Sequence, residues 1–269
     1  MKVVIAIDSF KGSISSPDAG AAIREGIQRV FPDAEVFVRP LADGGEGTVE
    51  ALAIGMHGRI RTVTVTGPLG TPVEAAYGIL YDSKTAIIEM SAAAGITLVD
   101  EPNRNPLYTT TYGVGELIRD AIVNGCRNFI VGIGGSATND GGIGMLQALG
   151  YEFRDNNGQP VSFGANGLSK IATIHDTHVL PDLKDCHFKI ACDVTNPLCG
   201  PQGCSAIFGP QKGATPDMIR QMDMSYSYKP VLLLGVLQHA DPKGRVKLED
   251  LVAFFKSYYA ERKKKGLVV

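Results

Sequence analysis

Hydrophobic and polar positions change period along the chain, and each change marks a different kind of element. KVVIAI (residues 2–7) is a continuous apolar run, the mark of a fully buried strand. AGAAIREGIQRVF (19–31) then spaces its apolar residues at helical intervals, with Ser16 or Asp18 as cap and Pro17 near the first turn. EVFVRPLA (35–42) predicts a second strand and TVEALAIGM (48–56) a second helix, giving a β-α-β-α opening. From Arg59 the texture shifts to β-branched and polar residues around Gly-Pro turns, over 59–81 and 84–90, as in a meander or mixed sheet. Next come a capped helix ending at Gly125 (109–126), a buried strand FIVGIG (129–134), a helix GGIGMLQALG (141–150) and a strand HFKIACDV (187–194). The last forty or so residues predict two amphipathic helices, KPVLLLGVLQHA and VKLEDLVAFFKSYYAERKKKG, around the turn DPKGR.

Composition narrows the functional classes. At 269 residues, 44% hydrophobic and 20% charged, the chain has the make-up of one large or two modest packed domains. Its 26 Lys and Arg against 28 Asp and Glu provide no global basic field for nucleic acid or an anionic membrane, so an anionic ligand must be held by local groups. Five cysteines without a CxxC pair read as reduced, buried thiols. No apolar run approaches the roughly 18 residues of a membrane span, and a cytoplasmic location is expected.

Glycines and carboxylates concentrate where strands end, the place where open α/β folds bind ligands. IDSFKGS carries Asp8, Ser9, Lys11 and Ser13; LADGGEGT carries Asp43, Gly44, Gly45, Glu46 and Thr48. GIGGSATNDGG carries Gly134, Gly135, Ser136, Thr138, Asn139 and Asp140; ACDVTNPLCG carries Asp193 and Asn196; FGPQKGA adds Lys212. Each loop alone is explained by turns or helix caps. Together they suggest phosphoryl transfer, in which backbone N–H groups approach phosphate oxygens, carboxylates hold Mg²⁺ or accept a proton, and lysines neutralise charge.

A rival reading is an NAD(P)-binding oxidoreductase. Gly132, Gly134 and Ala137 spell GxGxxA after a strand, with Glu152 and Asp155 as ribose partners about twenty residues on. That fingerprint should open directly into a helix, whereas ThrAsnAspGlyGly intervenes, and Asp140 would face the pyrophosphate unless a metal stood between. The sequence has no P-loop, HExxH or GxSxG pattern and no metal-spaced Cys/His cluster. The five histidines lie outside the glycine-rich loops, and ERKKKG reads as a solvated helix end.

DSFKGSISSPDAGAAIREGI, PLADGGEGTVEAL, VTGPLGTPVEAAYGIL, NPLYTTTYGVGELI, GIGGSATNDGGIGMLQALG, ACDVTNPLCGPQG and FGPQKGATPDM occur in order. In this the chain resembles the bacterial type of glycerate kinase from its start to about Met224. The resemblance implies an α/β, two-domain, three-layer kinase architecture, a Rossmann-like domain plus an inserted mixed α/β domain, with the active site between them. It implies transfer of the γ-phosphoryl group of ATP, with Mg²⁺, to a hydroxyl of D-glycerate. Carried onto this chain, Lys11, Asp43 and Asp193 become catalytic candidates. Ser9, Ser13, Gly44, Gly45, Glu46, Gly134, Gly135, Ser136, Thr138, Asn139, Asn196 and Lys212 become substrate- or phosphate-binding candidates, and Asp140 and Asp193 become candidates for holding Mg²⁺.

After Met224 the resemblance is lost, including a further acidic, glycine-rich motif of the family. The expected organisation is an incomplete Rossmann-like domain (1–58), a mixed α/β domain with the glycine-rich loops (59–228) and a short helical C-terminal tail (229–269). Two strands alone are marginal. Cover is expected from the tail's apolar faces, from a second copy in a homodimer or from another partner. The alternative function is a catalytically incomplete kinase fragment or fusion that binds a ligand or partner without turnover.

Overall fold

The computed structural model describes residues 1–10, 13–41, 47–192, 194, 196, 200–225, 246–247, 250, 253 and 257. Its elements are β1 (Lys2–Ile7), α1 (Ser16–Val30), β2 (Glu35–Pro40), α2 (Thr48–Gly55), β3 (Arg59–Thr66), β4 (Pro72–Leu80), β5 (Thr85–Glu89), α3 (Met90–Ala94), α4 (Tyr112–Val123), β6 (Asn128–Gly132), α5 (Ile143–Ala148), β7 (Glu152–Arg154), α6 (Gly164–Leu168), β8 (Thr173–His175), β9 (His187–Ala191), α7 (Cys204–Phe208), α8 (Pro216–Ser225) and β10 (Val246–Lys247). The fold is α/β, as expected.

The main sheet has six strands in the order β10-β9-β6-β5-β4-β3. β3, β4 and β5 form the expected antiparallel meander, while β5, β6 and β9 run parallel. β5 is buried along its whole length because both faces are covered, which is the condition of a parallel-sheet core. Ala86 and Ile88 point to the cluster containing Leu117 and Ile118 of α4; Ile87 points to the opposite cluster with Val49 and Leu80. α4 presents Val114, Leu117, Ile118, Ala121 and Ile122 at helical spacing, all buried. Tyr77 of β4 is fully buried, and its hydroxyl donates to Asp120 Oδ2 at 2.6 Å, while Arg61 Nε donates to the same oxygen at 2.7 Å.

β1 and β2 form a separate parallel pair. The expectation of a fully buried β1 is corrected here, since only Ile5 is buried and the strand alternates. α1 covers one face, with Gly20 against Val38. The other face carries Lys2, Val4 and Ala6 beside Glu35, Phe37 and Arg39, all exposed. α1 is capped by Ser15, whose hydroxyl accepts the Asp18 N–H at 3.2 Å, rather than by Ser16 or Asp18. α2, expected within the 1–58 unit, buries Val49 against Leu80 and Ile87 of the six-stranded sheet.

Among the cysteines, Cys126 and Cys186 are buried thiols as expected, whereas Cys192 is exposed and Cys204 half-buried. Most of the expected tail helices lie outside the described residues. Val246 and Lys247, expected to begin the second helix, instead pair antiparallel with Phe188 and His187 of β9. Asp250, Ala253 and Ser257 are helical and exposed.

Candidate active site

The parallel strands end in a row. Glu89 of β5 is in register with Gly132 of β6, which is in register with Ala191 of β9. GIGGSATNDGG therefore leaves the centre of that row. Gly134 and Gly135 form a turn, with Gly135 at φ 69°. Ser136 then bridges to Gly95, while Ile96 N–H donates to the Gly135 carbonyl at 2.9 Å and Ala137 N–H to the Ala94 carbonyl at 2.8 Å. No helix starts until Ile143, so the GxGxxA stretch does not present a helix N-terminus as a dinucleotide fingerprint requires.

Within this loop the outward part and the inward part are distinct. Gly134, Gly135 and Ser136 have access to solvent, whereas Thr138, Asn139 and Asp140 are buried. Asp140 Oδ2 accepts the Thr111 N–H and the Thr111 hydroxyl, both at 2.8 Å, and the Gly144 N–H at 3.3 Å; Oδ1 accepts the Gly142 N–H at 2.9 Å. The carboxylate thus ties the start of α4 to the start of α5. Gly144 is required at this junction because a Cβ there would overlap the Thr110 hydroxyl. Asn139 Nδ2 donates to Ser205 Oγ at 3.1 Å and lies 2.9 Å from Met222 Sδ, which anchors the loop to α7 and α8.

Lys212, in the turn before α8, places its ammonium on the loop, donating to Ser136 Oγ at 2.8 Å and to the Thr138 carbonyl at 2.7 Å. Arg104 stands beside it, with Nη1 3.5 Å from the Gln211 carbonyl. A cation at this position was legible in FGPQKGA; Arg104 was not, because nothing local distinguishes EPNRNP from an ordinary loop.

Other expected site residues lie apart from this cluster. Ser9 N–H donates to its neighbour Asp8 at 2.7 Å, and Ser13 N–H to the Phe10 carbonyl at 2.8 Å, within the loop after β1. Asn196 Nδ2 donates to the Gln202 carbonyl at 3.0 Å and so closes its own turn. Lys11, Asp43, Gly44, Gly45, Glu46 and Asp193 lie outside the described residues. One buried group was missed. Glu89 ends an otherwise apolar strand, and its Oε1 accepts the Val49 N–H at 2.5 Å. The signal was a single carboxylate closing the run KTAIIEM.

The model of the glycerate kinase family matches residues 3–230. This chain belongs to the glycerate kinase family. The glycerate kinase of Haemophilus influenzae is 53% identical over 228 residues, covering 85% of this chain and 60% of its own length. The glycerate 2-kinase of Escherichia coli is 50% identical over 243 residues, covering 90% of this chain and 64% of its own length. A crystal structure from Salmonella typhimurium LT2, provisionally assigned as glycerate kinase 2, superposes with a TM-score of 0.77 at 52% identity. It covers 84% of this chain and 60% of the other. The chain therefore spans about 60% of the length of these glycerate kinase relatives.

For a glycerate kinase family member, the position of any metal is a point of chemistry to test. Among the described residues no group of three or more His, Cys, Asp or Glu could hold an ion. Asp140 does not fit a metal-ligand role, since the residue is 1% exposed and its carboxylate takes four donors from the protein itself. No helix among the described residues is long and apolar enough to cross a membrane.

Proposed function

We propose that this chain carries the phosphoryl-transfer site of a glycerate kinase, with ATP as donor and a hydroxyl of glycerate as acceptor. The observation that carries the reading is the placement of the Lys212 ammonium on the solvent-facing Gly134–Ser136 turn, at the centre of the strand-end row. The backbone N–H groups of a glycine turn and a neighbouring lysine are the kinds of donor that a phosphoryl group needs. Arg104 adds a second cation suited to a carboxylate or phosphate.

In this reading the glycerate hydroxyl attacks the γ-phosphorus, a new P–O bond forms, and the bond to the bridging β,γ-oxygen breaks. The hydroxyl proton passes to a carboxylate, for which Asp43 and Asp193 are the candidates. Lys11 and Lys212 balance charge on the phosphates, with Ser9, Ser13, Gly44, Gly45, Glu46 and Asn196 as further binding candidates. Mg²⁺, when bound with the nucleotide, supplies charge neutralisation at the phosphates, and Asp43 and Asp193 are the carboxylates left to hold it. Asp140 is a positioning group for the loop, and Thr138 and Asn139 form its inner side.

A second reading is supported by the exposed face of β1 and β2. In it the chain binds nucleotide or glycerate without turnover. Phosphorus NMR on the purified chain with Mg-ATP and D-glycerate separates the two. A growing phosphate-ester resonance, whose shift distinguishes the 2- from the 3-product, supports the kinase; ligand-induced thermal stabilisation with no ester supports the binding protein.

A further inference from the structure

We propose that Glu89 is a positioning residue that ties the start of α2 to the Gly134–Ser136 turn of the site; its effect on turnover rests on the kinase reading above. Glu89 is the single charged residue of β5, 7% exposed behind Ala86, Ile87 and Ile88, which are fully buried. A carboxylate held there must be compensated. Its Oε1 accepts the Val49 N–H at 2.5 Å at the start of α2, where negative charge meets the positive end of the helix. Its Oε2 accepts the Ser91 hydroxyl at 3.3 Å. Ser91 in turn abuts Gly135, since a Cβ on that glycine would lie 3.3 Å from the Ser91 Cβ.

Val49 is the second residue of α2, so fixing it fixes the start of that helix. Gly132, in register with Glu89, opens the loop that contains this turn. One carboxylate thus holds the start of α2, through Val49, against the Gly134–Ser136 turn, through Ser91. Neither link needs Glu89 to touch a substrate.

Hydrogen exchange read by mass spectrometry on the full chain tests the link independently of activity. Glu89→Ala is expected to speed exchange over residues 47–55 by about tenfold or more, with 112–123 and 128–132 unchanged, and Glu89→Gln, which keeps an acceptor oxygen, to recover most of the protection. Acceleration across the whole chain, or none over 47–55, overturns the proposal. Where wild-type chain turns over glycerate, Glu89→Ala is expected to lower kcat at least about tenfold with the KM for ATP within about twofold, and Glu89→Gln to restore most of the rate. A change in KM alone, or a Gln variant as slow as Ala, also overturns it. Absence of wild-type turnover counts against the kinase reading, and the exchange result still decides the role of Glu89.

Discussion

Asp140 Oδ2 accepts both the backbone N–H and the hydroxyl of Thr111 at 2.8 Å, so one buried oxygen starts α4 and closes the glycine-rich loop. Asp140→Asn would turn an amide N–H toward donors or weaken every bond the oxygen receives. The expected loss is about 2–3 kcal/mol, a fall in Tm of roughly 5–10 °C for a chain of this size. A variant that melts within about 2 °C of wild type would contradict the structural role given to Asp140.

Lys212 plays a different part, because it joins the Ser136 hydroxyl at the mouth of the loop to the buried Thr138 carbonyl behind it. Lys212→Met is expected to lower kcat/KM for ATP by about a hundredfold, the scale of losing one preorganised donor to a developing charge. Lys212→Arg should retain more of it. Steady-state kinetics check this, and unchanged kcat/KM in the Met variant would remove Lys212 from the site.

Asp120 gives the fold a pH dependence of known sign. The hydrogen bond from Arg61, assisted by that from Tyr77, holds its carboxyl below the usual carboxylate range, against the opposing effect of burial. A depressed folded-state pKa means that the stabilisation is fully present above the unfolded carboxylate value, about 3.9, and is lost as pH falls through the folded value. Asp120→Asn is therefore expected to be less stable than wild type by about 1–3 kcal/mol at pH 7, with the gap closing below about pH 4. Urea unfolding at pH 7 and pH 3 measures it; an equal gap at both would show that the carboxylate charge contributes nothing.

The β1–β2 pair should be far less protected than the central strands β5 and β6. It is two-stranded, with Val4 and Phe37 exposed on its open face, while Ile87 and Ile88 of β5 are wholly buried. Amide exchange in 2–7 and 35–40 is expected to run at least about tenfold faster than in 85–89 and 128–132. Equal protection in the isolated chain would mean that something covers that face.

What was legible in the sequence was local. The hairpin of β3 and β4 is written in the alternation of RIRTVTVT and PVEAAYGIL around a Gly-Pro turn, and α4 in the spacing of Val114, Leu117, Ile118, Ala121 and Ile122. What was not legible depends on cover or on distant partners. An apolar run such as KVVIAI states a capacity for burial, and the strand alternates because α1 covers one side only. The attachment of α2 rests on Val49 meeting Leu80 and Ile87, and the strand at Val246 and Lys247 on a partner sixty residues earlier, β9. For the site, glycine-rich strand ends located the loop and Lys212, while the inward direction of Asp140 is set by Thr111 and Gly144, which no local pattern announces.

The most direct test of the account is ADP release by the purified chain with Mg-ATP, measured with and without D-glycerate in wild type and Lys212→Met. Glycerate-dependent release that falls about a hundredfold in the variant is the expected result. Release that is absent, or indifferent to glycerate and to Lys212, would contradict a phosphoryl-transfer site built on the Gly134–Ser136 turn.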